Sequence, residues 1–396
     1  MIDLVLILIL VLGWLLYTTF ATKFDFVESL GLAHLFGLGA TAFSEFLLTI
    51  SGIGINYSSL LVALIMGIIA LAILQTIQWK KGQSCLQNLK WQNFEIGSIN
   101  IIWLAGFGVL LFTLYAITAK SMFWITFATD SVTSFDLYAK AIASEGNLLN
   151  SLIHNRAVGY GVAYPPLYSM LLAIPYIYGA ETSKIIPALF FIGMIVSFYG
   201  LLKKITNPTS AMLFTLFMAI TPEMLAQSAI NITNGAQAAF SSIGVISLML
   251  WLRNGQKEYF WMSALLLALN GFTRSEGIVY ILPAIFVVLV WRYKDQDWKS
   301  IGSYAFITLI PFVIWQVFMR INHELMDPFS QIDLHITPNL DGEKLSEIYQ
   351  LMKFNLSQRT YYGITVILFG FTLVANLWFI IKKKDSWSLL FITISA

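Results

Sequence analysis

Residues 99–118 read INIIWLAGFGVLLFTLYAIT, a run without a single charged side chain. An α-helix rises about 1.5 Å per residue, so this stretch is long enough to cross the ~30 Å hydrocarbon core of a bilayer. Runs of the same kind occupy 4–20, 31–50, 57–78, 185–202, 209–222, 234–252, 259–273, 277–291, 301–319 and 361–381. Segment 164–180 is also apolar but short. It opens on Tyr164-Pro165-Pro166-Leu167, whose prolines stiffen the chain and disfavour a helix just before them, so it is expected to enter the membrane or re-enter on the same side. The pattern predicts an all-α polytopic integral membrane protein with about 11–12 transmembrane helices.

Composition agrees. The 396 residues are 58% hydrophobic and 11% charged, against about 25% charged in soluble domains. A water-soluble enzyme, a disordered chain and a nucleic-acid binder with a basic face are all excluded. With 23 Lys and Arg against 21 Asp and Glu, net charge identifies no partner. Cys85 stands alone, which rules out an internal disulfide framework and a cysteine-based metal site. The first run follows Met1-Ile2-Asp3 with no basic stretch before it, and is expected to remain as a span.

The basic clusters Lys80/Lys81/Lys90, Lys203/Lys204, Arg253/Lys257, Arg292/Lys294/Lys299 and Lys382/Lys383/Lys384 all fall on one side if the N-terminus is outside and 164–180 does not reverse the chain. The positive-inside bias makes that side cytoplasmic. The outer side then receives two long connections, 119–163 and 320–360, and short ones near 223–233 and 274–276. Polar, irregular chain is concentrated there, and there a site is expected. The final run, 386–396, stops after about half a span, so the chain is expected to be a truncated version of something longer.

Within the first long connection, Thr133-Ser134-Phe135-Asp136 has the spacing of a helix-capping box, and Leu137, Ala141 and Ile142 then mark one side of a short amphipathic helix. Asp136 and Lys140 are four apart, an acid–base pair on one helical face; both also have plain structural roles, as cap and as salt-bridge partner. Asp130 precedes the cap and follows Phe123-Trp124-Ile125-Thr126-Phe127. Partial desolvation among interfacial aromatics is expected to raise its pKa toward that of a general base. His154 and Arg156 lie downstream and have the chemistry to hold a phosphate, as a headgroup contact also would. The tyrosines at 160–168, Tyr164 among them, read equally as interfacial anchors. Thr273-Arg274-Ser275-Glu276-Gly277 is a minimal turn between two spans. Arg274 and Glu276 either close the hairpin as a mutual pair or present Arg274 to an anionic headgroup. Glu223, in Thr221-Pro222-Glu223, is a weaker case of the same kind. His34 and Glu45, inside the second run, read as interhelical groups. Nucleotide-binding glycine loops, HExxH, CxxC and nucleophile-elbow motifs are absent.

The order of these residues resembles bacterial membrane glycosyltransferases of the GT-C superfold, the mannosyltransferase-like group of glycosyltransferase family 39 type. The resemblance rests on Asp130, then Phe135-Asp136-Leu137-Tyr138-Ala139-Lys140, then Ala163-Tyr164-Pro165-Pro166-Leu167, the Gly179-Ala180-Glu181 break and Thr273-Arg274-Ser275-Glu276-Gly277, and covers most of 95–320. It implies a GT-C-like bundle whose long outer loop carries short amphipathic helices. It divides the chain into a three-span N-terminal extension with a Lys-rich cytoplasmic loop (1–95) and a catalytic domain (96–396). Family members often have Trp before the loop acid, where this chain has Thr129. They often carry a second outer-loop acid where Asn231-Ile232-Thr233-Asn234 stands here.

The resemblance implies transfer of a sugar from a polyprenyl-phosphate donor to a lipid, glycan or protein acceptor, with membrane lipids around it and no nucleic acid. The expected place is the outer side of a bacterial inner membrane. Asp130 and Asp136 would be catalytic, with Lys140, His154, Arg156, Tyr164, Arg274, Glu276 and Glu223 binding substrate. Asp130 would deprotonate the acceptor hydroxyl for inverting attack, and Asp136 would orient Lys140, or share a magnesium or manganese ion with Asp130 if a divalent cation is used. A transporter or flippase is the alternative from another class, but should place ionisable residues at mid-depth in repeated halves. An O-antigen-type polymerase would carry a late outer loop richer in Arg and His than 320–360.

Overall fold

The computed structural model describes residues 2–21, 25–81, 100–125, 128–154, 164–293, 295–322 and 342–358, with scattered helical positions between 362 and 382. The described chain is helical throughout, with no strand among these residues. Its helices are α1 (Ile2–Phe20), α2 (Phe26–Ile50), α3 (Tyr57–Lys80), α4 (Ile101–Phe123), α5 (Asp136–Glu145), α6 (Ser151–His154), α7 (Leu167–Ile177), α8 (Ile185–Leu202), α9 (Pro208–Ala219), α10 (Pro222–Gln227), α11 (Thr233–Asn254), α12 (Lys257–Thr273), α13 (Ile278–Tyr293), α14 (Trp298–Ile321) and α15 (Gly342–Ser357). Eight of them are long and apolar enough to cross a bilayer. The protein is an all-α polytopic membrane protein.

The helix ends follow local chemistry. Asp25, Asn56, Asn100 and Asn207 each accept backbone N–H bonds from the first turn of α2, α3, α4 and α9. Gly255, at φ 67°, closes α11 in the left-handed conformation that glycine tolerates. Helix packing uses small residues: a Cβ on Gly13 would overlap the Ala33 carbonyl, and one on Gly37 the Ile9 carbonyl, so α1 and α2 approach backbone to backbone. α2 in turn packs on α8, and α12 packs on α11 and α14. α3, α4, α13 and α14 are buried only along narrow strips and present apolar side chains outward, as helices facing lipid tails do.

The bundle has two chemically distinct ends. At the basic end, Lys203 Nζ lies 2.7 Å from Asp25 Oδ2, Lys204 Nζ lies 2.8 Å from Glu28 Oε2, and the Arg292 guanidinium sits 5.2 Å above the Trp251 ring. At the loop end, Ile55 N–H donates to the Gly146 carbonyl at 2.6 Å and Tyr178 OH to the Tyr57 carbonyl at 3.2 Å. The described connections grouped by charge in the sequence are thus grouped in space.

One predicted span is shorter than the sequence suggests, and the short segment 164–180 stays short. Within 209–222 the helix is α9 alone, 12 residues and about 18 Å long, and Pro222 starts the separate α10 because proline opens a helix readily but cannot continue one. α7 has 11 residues, and both its flanks, Tyr164 and Tyr178, lie at the loop end. It ends in a Schellman turn, with Gly179 at φ 80° and the Ala180 N–H on the Pro175 carbonyl. Residues 164–180 therefore do not carry the chain across, although every side chain from Leu167 to Pro175 is buried. Most of 361–381, all of 386–396 and the boundary at residue 95 lie outside the described residues.

Candidate functional site

The first long connection does not begin as its sequence predicts. Helical winding starts at Thr129, passes through a π-turn at Ser131–Phe135 and runs unbroken into α5. Asp136 has helical dihedrals (φ −73°, ψ −40°), its N–H bonds to the Ser131 carbonyl, and the Thr133 hydroxyl donates to the Thr129 carbonyl at 2.9 Å. The expected Thr133–Asp136 capping box is absent, because there is no helix start for it to cap. π-turns of this kind recur at functional sites. Here the turn leaves the Asp136 carboxylate free to face inward.

That carboxylate is the centre of a long-range cluster. Asp136 is 4% exposed. Its Oδ1 accepts from Tyr176 OH at 2.6 Å, Ser183 Oγ at 2.7 Å and Asn231 Nδ2 at 2.9 Å, and Asn231 also donates to Ser183 Oγ at 2.7 Å. Oδ2 pairs with Lys140 Nζ at 3.1 Å, the i,i+4 partner the sequence predicts. Lys140 is half exposed, with its ammonium 5.2 Å from the Tyr176 ring centroid. Neither Tyr176 nor Ser183 stands out in the sequence: one ends an apolar run, the other follows a glycine break. Asn231 stands where the family often has an acid, and here it donates to one.

A second set surrounds Arg274. Its Nη2 and Nε grip the Glu276 carboxylate at 2.9 and 3.3 Å, Nη1 donates to Asn234 Oδ1, and Nη2 donates to Tyr164 OH at 3.3 Å. The guanidinium also lies 5.0 Å from the Tyr164 ring centroid. Burial disfavours its charge, but Glu276 outweighs this and holds the pKa above that of a free arginine. The two sets adjoin. Tyr164 is 5.8 Å from the Phe135 ring, next to Asp136, and Asn231, just ahead of the extended Ile232 that precedes α11, is three residues from Asn234 in the first turn of that helix.

Ser183 and Lys184 tie the first connection down at both flanks. While Ser183 binds Asp136, the fully buried Lys184 donates from Nζ to the carbonyls of Trp124 (2.6 Å) and Ile125 (3.3 Å), at the C-terminus of α4. Burial and the nearby Lys120 lower its pKa from the usual lysine value. Nothing in the sequence separates Lys184 from a cytoplasmic-type lysine.

The other predicted residues stand apart. Asp130 is exposed and its side chain makes no cap hydrogen bond, so neighbouring protein does not desolvate it as expected. Glu223 bonds Gln227 Nε2 one turn along α10, at 2.6 Å. His154 is exposed at the end of α6, its Nδ1 2.9 Å from the Asn150 carbonyl. Arg156 lies outside the described residues. As for a shared cation, the Asp136 oxygens already take four donors, and the described residues hold no group of three or more His, Cys, Asp or Glu suited to a metal. The donor set around Asp136 does not fit an ion shared with Asp130.

The geometry therefore defines a membrane-embedded helical bundle with a preorganised polar site of acids, amides, aromatic hydroxyls and two cations at one end. Residues 164–316 match the family model described as dolichyl-phosphate-mannose-protein mannosyltransferase. The match supports a GT-C-like, mannosyltransferase-type protein and indicates a glycosyltransferase that uses a lipid-linked sugar. It spans α7 to α14 and so contains Tyr164, Tyr176, Ser183, Asn231, Asn234, Arg274 and Glu276. Asp130, Asp136 and Lys140 lie before it. No curated protein and no solved structure matches the chain.

Proposed function

We propose that the protein transfers a sugar from a polyprenyl-phosphate donor to an acceptor hydroxyl at the loop end of the bundle, with inversion at the anomeric carbon. The positive-inside bias supports placing that end on the outer face of a bacterial inner membrane. In this reading the exposed Asp130 carboxylate takes the proton of the acceptor hydroxyl. The acceptor oxygen bonds to the anomeric carbon as the bond from that carbon to the lipid phosphate breaks, and the phosphate leaves with its charge. General-base assistance of this kind contributes roughly 10²–10⁴-fold.

The half-exposed Lys140, steered by Asp136, and the Arg274 guanidinium, braced by Glu276, Asn234 and Tyr164, are preset to receive the departing phosphate. Donors that are already oriented need no rearrangement as the charge develops. The acceptor is a lipid, a glycan or a protein, and the matched family's name makes a mannosyl donor and a protein acceptor the first to try. The single observation that carries the proposal is the meeting of the Asp136–Lys140 and Arg274 sets at one end, held by residues from across the matched stretch.

The test is transfer of radiolabelled mannose from polyprenyl-phosphate mannose to acceptors in sealed vesicles of known orientation. Activity reached only by donor supplied on the outer face is expected, and activity confined to the inner face would overturn the sidedness. Arg274→Met should lose activity in proportion to phosphate stabilisation, whereas full activity in that variant would remove Arg274 from the mechanism.

A further inference from the structure

α15 has a property the proposed site does not use. Every residue from Gly342 to Ser357 is exposed, and none of its side chains is buried among the described residues. Yet its sequence is not that of a water-facing helix. Leu345, Ile348, Tyr349, Met352 and Leu356 fall at i, i+3, i+4, i+7 and i+11, one apolar stripe along its length. Glu343, Ser346, Glu347, Gln350, Lys353 and Ser357 lie away from that stripe. Leu351 and Phe354 are the large apolar residues off it.

Its neighbours in the chain say what covers the stripe. α14 brings the chain to the loop end at Ile321, presenting Phe306, Val313, Val317 and Ile321 outward along one flank. After α15, the described positions between 362 and 382 are helical, with Ile367, Phe371, Val374 and Trp378 exposed at the spacing of a single helix face. Both flanking elements thus carry exposed apolar stripes of the kind that face lipid, and α15 lies between them in the chain, on the connection that leaves the loop end. A helix with a strong apolar stripe and low overall hydrophobicity lies in the plane of the bilayer boundary, its apolar face among the upper acyl chains. The two acids and two lysines of α15 cancel, so anionic lipid is not needed to hold it.

We propose that α15 is an interfacial helix whose Leu345–Ile348–Tyr349–Met352–Leu356 face is inserted into the lipid surface at the loop end. The proposal is independent of the sugar-transfer reading. The experiment uses the full chain with Cys85→Ser, carrying one cysteine at a time at Leu345, Met352, Glu347 or Gln350. Each is labelled with an environment-sensitive fluorophore and reconstituted in phosphatidylcholine vesicles.

Nitroxide groups placed just below the headgroups are expected to quench the labels at 345 and 352 about twofold or more, and those at 347 and 350 much less. Replacing a fifth of the lipid by an anionic species should change the quenching ratio by less than about twofold. Absence of lipid quenching on both faces, with free access to iodide from water, would show a solvated helix and overturn the proposal. Labels at 345 and 352 shielded from both quenchers would show a protein cover and overturn it too, as would equal lipid quenching on the two faces.

Discussion

Replacing Asp136 separates a structural anchor from a surface ion pair. The carboxylate is 4% exposed and takes three bonds on one oxygen, while its lysine partner is half exposed. In Asp136→Ala, Ser183 and Asn231 keep buried donors with one acceptor fewer, and each such donor costs about 1–3 kcal/mol. Tyr176, less buried, turns to water at little cost. The loss is about 2–6 kcal/mol in all. Asp136→Asn keeps an oxygen for the same donors but removes the charge, roughly halving the strength of each bond, so about 2 kcal/mol is expected. Lys140→Met breaks only a half-exposed pair and should cost less than about 1 kcal/mol. The assay is unfolding of the purified protein in mixed micelles by increasing sodium dodecyl sulfate, read by loss of tertiary fluorescence. The expected order of destabilisation is Asp136→Ala, then Asp136→Asn, then Lys140→Met. A Lys140→Met loss equal to that of Asp136→Ala would refute the reasoning, because the pair and not the buried cluster would then be holding the loop.

Three further outcomes follow from other parts of the fold. Burial disfavours the Asp25 carboxylate, but Lys203 and Lys204 outweigh it and hold its pKa below the ordinary aspartate value. Such a group adds stability that is whole above the unfolded pKa and is lost as pH falls through the folded one. The gap in melting temperature between wild type and Asp25→Asn should therefore be full at neutral pH and narrow as pH falls below the ordinary aspartate value of about 4, and a constant gap would contradict this. Gly146 and Gly255 both have φ near 70°, but a Cβ on Gly146 would also lie 3.0 Å from the Ile55 carbonyl oxygen, whereas Gly255 has open space. Alanine should cost about 1–2 kcal/mol at Gly255 and more at Gly146, with equal losses ruling out the contact between the loops. Arg274→Lys keeps the charge but loses the fork on Glu276. One charged hydrogen bond at about 1.5 kcal/mol corresponds to roughly tenfold slower transfer, and unchanged kinetics would show that the fork is idle.

The membrane spans were legible because transfer into lipid is a property of composition, which a sequence displays directly. The spatial grouping of the loops was legible from Lys and Arg placement for the same reason. Pairs close in sequence could also be read: Asp136 with Lys140, and Arg274 with Glu276, each within one turn or a tight corner. What the sequence hid is long-range. The donors on Asp136 come from 40, 47 and 95 residues away. Their presence turns a residue that resembles a helix cap into the hub of a buried network. The π-turn that allows this has no local signature, since Thr133-Ser134-Phe135-Asp136 spells a cap by spacing alone. Likewise α9 reads as a full span in hydropathy, but Pro222 ends it after three turns. Asp130 sits among aromatics in sequence while the fold leaves it exposed.

Because the exposed Asp130 side chain makes no hydrogen bond among the described residues, it is also the cleanest place to test catalysis. The decisive measurement is mannose transfer from polyprenyl-phosphate mannose by Asp130→Asn beside wild type, with the unfolding midpoint of each measured on the same preparations. The account predicts a loss of about 10²–10⁴-fold in transfer with an unchanged midpoint. Transfer within about threefold of wild type, where general-base loss should cost far more, would contradict it.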